Sequence, residues 1–444
     1  MAHIQNQLSP FKCIFYIALP SQIRPLLQKY KRNNEESLSE ILIRLDESSP
    51  TLPSLSSTDL IPQVLNKCLL ESVSQGASDI HLEPESKFIR LRLRIDVHLT
   101  PYTCFHRDFW DSLCVHLKVC AHMNIAETRI PQSGRFSRKI QEKEIDFRVS
   151  SHPTKHGESI VIRTLDRKNA RLSLEDIGFP LSIVSKLKKA TQAIQGLFIV
   201  SGPTGSGKTT TLYSILNGLN TENCNIMTLE QPIEYEIPSI RQTEIKEKSP
   251  FTFAEGIRSV LRQDPDVLFV GEVRDAETAQ MALRASMTGH QVYTTLHTSQ
   301  ALGSIQRLVD LGISPSVLAG NLRGLLSQRL VRKLCLHCRQ PREMTFQETC
   351  SFKNIPARSL YRPIGCSHCY YTGYKGRFPL IEFISCTDSF NQLIFKKEPI
   401  PVLEKEPRKK GYISLQEQGI KCALTGLTSF EEIYSVMPFE REIS

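Results

Sequence analysis

The stretch Gly202-Pro203-Thr204-Gly205-Ser206-Gly207-Lys208-Thr209-Thr210 constrains this chain more than any other. It fits G-x-x-x-x-G-K-[ST] at Gly202, Gly207, Lys208 and Thr209. Such a loop needs a buried strand before it and a helix after it. The apolar run 197–201 and a helical stretch through Leu219 supply both. Backbone N–H groups and a helix N-terminus then converge on one point and can cradle phosphate. The spacing sends Lys208 to β- and γ-phosphate oxygens of a nucleoside triphosphate and the Thr209 hydroxyl to Mg²⁺, with Pro203, Thr204, Gly205, Ser206 and Thr210 completing the cradle. A ligand-free glycine turn is the alternative, and the flanking strand and helix argue against it.

From Gly178 onward, apolar runs at 197–201, 226–229, 266–270 and 292–296 alternate with helices of ten residues or more. Strands that are apolar without alternation are buried on both faces, which predicts a doubly wound α/β domain with a parallel sheet. Ligands in such sheets bind at the carboxyl ends of the strands. Glu272 follows the run 266–270 there, with Gly271 where an Asp is common, and is expected to reach Mg²⁺ through water. Glu234, in Glu230-Gln231-Pro232-Ile233-Glu234, is the candidate to orient or deprotonate an attacking water. His290 and His297 bracket the last of these strands, either to contact phosphate or couple it to the subunit edge, or as two capping residues. Arg258 and Arg262 precede Glu272 on a helix and are either helpers or a solvated face.

At 444 residues the chain has room for about three domains at ~150 residues each. Residues 1–47 form a weakly patterned N-terminal module, and 48–62, rich in Ser, Thr and Pro, is expected to be an extended linker. Residues 63–171 are expected to form an α+β sheet domain. Within it, Ile89 to Leu99 alternates with period two, apolar on one side and Arg90, Arg92, Arg94, Asp96 and His98 on the other, which predicts an eleven-residue strand. The net charge is +9. Residues 86–171 hold 17 Lys/Arg against 9 Asp/Glu, so this one segment carries +8 of it. A basic face there fits nucleic acid, anionic lipid or phosphate, or plain solvation. The longest apolar run near the N-terminus, Cys13 to Leu19, is far short of the ~20 residues of a membrane helix and has no cleavage site behind it.

Thirteen cysteines, an odd number in a long chain, do not read as a disulfide framework and suit a reducing compartment. Four of them form two CxxC pairs, Cys335/Cys338 and Cys366/Cys369, separated by 27 residues. Each spacer lets two thiolates face one ion, so the set predicts a closed, structural S₄ zinc site in a subdomain spanning 331–376. His337 and His368 sit between ligands and are expected to point away. The remaining nine cysteines read as ordinary thiols, and 377–444 as a helical C-terminal region.

The segments ASDIHLEP (77–84), GPTGSGKTTTLY (202–213), TLEQPIEY (228–235), LRQDPDVLFVGEVRD (261–275) and TGHQVYTTLHT (288–298) together resemble the ATPases of type II secretion and type IV pilus assembly, from about residue 60 to the C-terminus. The resemblance implies a RecA-like ATPase domain (178–330) that uses ATP and Mg²⁺, preceded by the sheet domain, in a hexameric ring. It implies attachment to the cytoplasmic face of the inner membrane through platform proteins bound by the N-terminal region, and contact with acidic phospholipid; no nucleic acid is expected, because no aromatic platform accompanies Arg90, Arg92 and Arg94. It also implies that sheet-domain arginines reach the phosphates, here Arg148 and Arg163. Pilus assembly, DNA uptake and, from another class, nucleic-acid translocation are the alternatives to type II secretion. Two departures stand out. Gln231 replaces the Asp of a Glu-Asp-Pro box, which predicts weaker Mg²⁺ handling, and Asp96-Val97 replaces an Asp-Gly turn.

Overall fold

The computed structural model describes residues 55–166, 172–246, 249–345, 348 and 359–437, with side chains from residue 60. The N-terminal module 1–47 lies outside these residues. Helix α1 (Leu55–Ser74) is followed by β1 (Ala77–Pro84), β2 (Phe88–Ile95), β3 (His98–His106), α2 (Trp110–Cys120), β4 (Gln132–Ile140), β5 (Lys143–Thr154) and β6 (Gly157–Asp166). The six strands form one antiparallel sheet in the order β3-β2-β1-β6-β5-β4. Alternation puts Ile80, Leu82, Leu91, Leu93, Phe147, Val149, Ile160 and Ile162 on one face, where α1 and α2 cover them with Leu65, Leu69, Trp110 and Leu117. The opposite face is polar.

Two expectations for this domain are corrected. The segment 48–62 is not an extended linker throughout, because α1 already begins at Leu55. Its Ser, Thr and Pro content hides an apolar stripe, Leu60, Ile61, Val64, Leu65, Cys68 and Leu69, all buried at helical spacing. The eleven-residue strand is also two strands. β2 stops at Ile95, and Asp96 and Val97 turn back into β3 with φ of 48° and 75°. Both turn residues are left-handed, the geometry a two-residue hairpin requires. Val97, a β-branched residue in that region, is strained and its side chain is exposed.

The second unit comprises α3 (Leu181–Ala190), β7 (Gly196–Ser201), α4 (Lys208–Leu219), β8 (Ile226–Glu230), β9 (Arg241–Glu244), α5 (Phe253–Val260), β10 (Val267–Val270), α6 (Ala276–Met287), β11 (Gln291–Leu296), α7 (Gly303–Asp310), α8 (Pro315–Asn321) and β12 (Leu322–Leu334). The seven-stranded sheet has the order β15-β12-β7-β11-β10-β8-β9, where β15 is Tyr374–Ser385. All neighbours are parallel except β12 and β15. Helices bury both faces in separate apolar clusters, as the four continuous apolar runs predict.

The C-terminal boundaries are corrected as well. Residues 331–334 continue β12, so the sheet does not end at 330, and 377–385 belong to β15 rather than to a helical region. Leu380 to Ile384 are buried without interruption because β15 closes the edge of the seven-stranded sheet against β12. Helices follow from Asp388: α9 (Asp388–Phe395), α10 (Ile400–Lys409), α11 (Leu415–Leu424) and α12 (Phe430–Val436). A two-stranded ribbon, β13 (Gln340–Glu343) with β14 (Ser359–Arg362), carries the cysteine region.

Candidate nucleotide site and metal centre

The loop 202–207 leaves the C-terminal end of β7 and enters α4 through Gly207, whose φ of 87° places it in the left-handed region open to glycine. Lys208 opens the helix and is buried. Its ammonium donates to the carbonyls of Gly202 at 2.8 Å and Pro203 at 2.9 Å, so it lies under the loop. Burial brings this lysine down to about 8, against the raising influence of Glu272. Thr209 and Thr210 are half-buried on the first turn, and Pro203, Thr204 and Gly205 are exposed at the rim. The Ser206 hydroxyl is buried without a hydrogen-bond partner. A left-handed glycine, a buried ammonium and an unpaired hydroxyl at a helix N-terminus fit a phosphate ligand.

Glu272 follows β10 at the same edge of the sheet. It forms an ion pair with Arg274 at 2.5 Å and lies 3.4 Å from His297 Nε2. The position before it is close-packed: a Cβ on Gly271 would come 3.1 Å from the Leu229 carbonyl and 3.3 Å from Glu230 Cα. That contact accounts for glycine where an Asp is common.

Glu230 ends β8 and is fully buried. It accepts hydrogen bonds from the Tyr213 hydroxyl, from Thr228 at 2.6 Å and from Gln242 at 3.0 Å, and burial raises its pKa. The Glu234 carboxylate lies outside that network and is half-exposed. Its backbone N–H donates to the Tyr213 hydroxyl at 3.3 Å, and its carboxylate meets the Arg148 guanidinium of β5 at 3.1 Å. Arg148 also donates to the Ile233 carbonyl, so the sheet domain grips the acidic loop at two points.

Arg163 pairs in register with Arg148, yet its guanidinium donates to Asp79 at 3.0 Å rather than to the acidic loop. Register extends the row across five strands: Arg135, Arg148, Arg163, Asp79 and Arg94. Four guanidiniums and one carboxylate thus line one crossing of the polar face. The other basic residues of β2 are neutralised by β1 and the loop after it: Arg90 meets Glu83 at 3.1 Å and Glu85 at 2.9 Å, and Arg92 pairs with Glu83.

His290 is not brought to the loop. It precedes β11, whose Gln291 pairs with Gly196 and whose Leu296 pairs with Ser201, so six residues, ~20 Å of strand, separate it from the phosphate edge. Its Nδ1 lies 3.0 Å from the Ala285 carbonyl at the end of α6, the capping alternative. His297, after the same strand, is at the site. Arg258 pairs with Glu277 at 2.8 Å and Arg262 donates to the Arg258 carbonyl, both on the surface. Sequence reasoning missed Tyr213, Gln242, Asp79 and Arg274. Tyr213, Asp79 and Arg274 stood inside motifs already marked, and only their contacts reveal what they hold.

The four sulfurs of Cys335, Cys338, Cys366 and Cys369 lie within 4.8 Å of one another. Cys335–Cys366, Cys338–Cys369 and Cys366–Cys369 are 3.7, 3.8 and 3.7 Å apart. Sulfurs tetrahedrally placed at ~2.3 Å from zinc have edges of about 3.8 Å. Backbone N–H groups of Gly365, Cys366 and Gly373 donate to Cys338 and Cys369 sulfurs, as thiolates require. The four thiols therefore fit Zn²⁺. His337 and His368 stack on each other at 4.0 Å outside the cluster.

Comparison with known proteins agrees with this geometry. Residues 54–435 match a family described as "Type II/IV secretion system protein". The type II secretion system protein E of Aeromonas hydrophila is 40% identical over 400 residues, covering 90% of this chain and 78% of that protein. The type II secretion system ATPase E of Vibrio cholerae is 38% identical over 418 residues, covering 94% of this chain and 82% of that protein. The fold is shared with the Legionella pneumophila ATPase DotB, at a TM-score of 0.64 and 22% identity, covering 88% of this chain and 97% of that structure. The loop around Lys208, the acidic residues beside it and the sheet domain joined to them are thus parts of one family architecture, and the chain belongs to the type II/IV secretion system protein family.

Proposed function

We propose that this chain is the ATPase of a type II secretion system, binding ATP at the loop around Lys208 and hydrolysing it between the sheet domain and the RecA-like domain. The observation that carries this is Arg148, which crosses from the sheet domain to the acidic loop and meets Glu234 there. Two relatives covering nine-tenths or more of the chain carry that system in their names. In this reading the Lys208 ammonium and the loop N–H groups hold the phosphates, while Glu234 orients the attacking water and accepts its proton. Arg148 supports the charge that develops on the transferred phosphoryl group, with Arg163 behind it, and Glu272, paired with Arg274 and His297, would help hold Mg²⁺. The Thr209 hydroxyl would help hold Mg²⁺, which would supply charge neutralisation at the phosphates.

The chain works as a homohexamer on the cytoplasmic face of the inner membrane, docked to platform proteins through residues before 55 and touching acidic phospholipid. Among the described residues no helix is long and apolar enough to cross a membrane. The neutralised face of β2 gives a nucleic-acid reading little support. The test is phosphate release by purified protein with Mg²⁺ and ATP. Turnover is expected in the wild type and only background in Lys208→Ala; equal rates in the two would refute the reading.

A further inference from the structure

The phosphate loop is braced from outside by a residue that no motif marks, and the inference rests on reading that loop as the ATP site. Gln328 lies on β12, next to β7, and is 1% exposed. Its side-chain nitrogen donates to the Ser206 carbonyl at 2.6 Å, and its oxygen accepts from the Thr211 hydroxyl at 2.8 Å. The orientation of the amide follows from chemistry: a carbonyl can only accept, so the NH₂ end must face Ser206.

The Ser206 carbonyl shares a peptide unit with the N–H of Gly207. That unit is trans, as are all described peptide bonds except Gln231-Pro232. In a planar trans peptide the C=O and N–H point in opposite directions. Drawing the carbonyl toward β12 therefore turns the Gly207 N–H away from β12, into the loop. The neighbouring Lys208 ammonium is held on the same inner side by the Gly202 and Pro203 carbonyls. One glutamine thus sets the direction of a backbone donor and, through Thr211, ties the first turn of α4 to the same strand. A buried side chain needed only for packing would not require a donor at one end and an acceptor at the other.

We propose that Gln328 is a positioning residue for nucleotide binding: it holds the Ser206–Gly207 peptide so that the Gly207 N–H faces the phosphates, and it governs affinity rather than the chemical step.

The test uses the full chain with Gln328→Met, which keeps length and apolar volume but has no donor, and Gln328→Glu, which keeps shape but turns an acceptor toward the Ser206 carbonyl. KM and kcat for ATP with Mg²⁺ are measured together with the Kd of a fluorescent N-methylanthraniloyl-ADP probe and the melting temperature. Loss of one directed donor is expected to raise KM and Kd about tenfold in Gln328→Met, and at least as much in Gln328→Glu, with kcat within about twofold of wild type. A fall in kcat or in melting temperature with unchanged Kd in either variant would show a purely structural role and overturn the proposal. If one variant does not fold, the other decides by the same split. A wild-type chain that binds no probe overturns the ATP-site reading itself, whereas wild-type binding with unaltered Kd in the variants overturns the role of Gln328 alone.

Discussion

Arg148 and Glu234, 86 residues apart in the chain, meet at 3.1 Å across the two domains. The pair is partly exposed, and an ion pair in such a setting adds little stability. Its value is positional: it sets a guanidinium from one domain beside the carboxylate proposed to orient water in the other. Arg148→Ala is expected to lower kcat for ATP on the order of 10³-fold, the scale of a transition-state arginine, while leaving the melting temperature within a few degrees. Steady-state phosphate release beside a thermal melt measures both, and a kcat within tenfold of wild type would place the arginine away from the phosphate.

Tyr213 links the helix after the phosphate loop to the acidic loop through a single hydroxyl, donating to Glu230 and accepting from the Glu234 N–H. Tyr213→Phe leaves Glu230 buried with one partner fewer, which is expected to cost about 1–3 kcal/mol of stability. Burial also disfavours the charged form of Glu230, so losing a donor raises its pKa further. Chemical denaturation at neutral pH gives the loss, and an unchanged midpoint would show that the hydroxyl holds nothing.

Lys208 titrates near 8 in the nucleotide-free protein because it is buried. Phosphate beside it favours the charged form, so the nucleotide-bound pKa is higher than the free one. Affinity for ATP is therefore complete below the free pKa and weakens as pH rises through it. Calorimetry in buffers of different ionisation enthalpy is expected to show proton uptake on binding as pH rises above about 8. Binding without uptake across that window would mean that the ammonium is charged throughout.

The four cysteines close a site with no free position, so metal removal should act on folding and not directly on turnover. One Zn²⁺ per chain is expected by elemental analysis. Cys335→Ser or a strong chelator should lower the melting temperature by several degrees before activity at low temperature changes. A chain that holds no zinc and melts identically with and without chelator would leave the cluster as four packed thiols.

How much could be read in advance follows a physical division. The loop 202–210, the four parallel strands and the CxxC pairs are local: each depends on backbone conformation, side-chain period or a two-residue spacer, and all are visible within a dozen residues of sequence. The register of the sheet domain is not local. Arg135, Arg148, Arg163, Asp79 and Arg94 form a row only because five strands pair with particular offsets, and no one strand's alternation shows its neighbour's. The same limit hid the hairpin at Asp96-Val97, where alternation runs through a turn, and the start of α1, where polar composition masks a buried stripe.

Chain order also misleads when proximity is decided by the sheet. His290 and His297 look like a pair, but a parallel strand carries its two ends to opposite edges, so one histidine caps a helix while the other reaches Glu272. β15 looks like part of a helical tail and instead closes the ATPase sheet against β12, the strand that bears Gln328. By itself the amino-acid order determined that a glycine loop between a buried strand and a helix and a tetrathiol cluster would form, since both are written in short spacings. Only tertiary structure decided which side chain braces that loop and which reaches the acidic loop from the other domain. Those contacts join residues some 85 to 120 positions apart, and register and packing, rather than sequence spacing, bring them together.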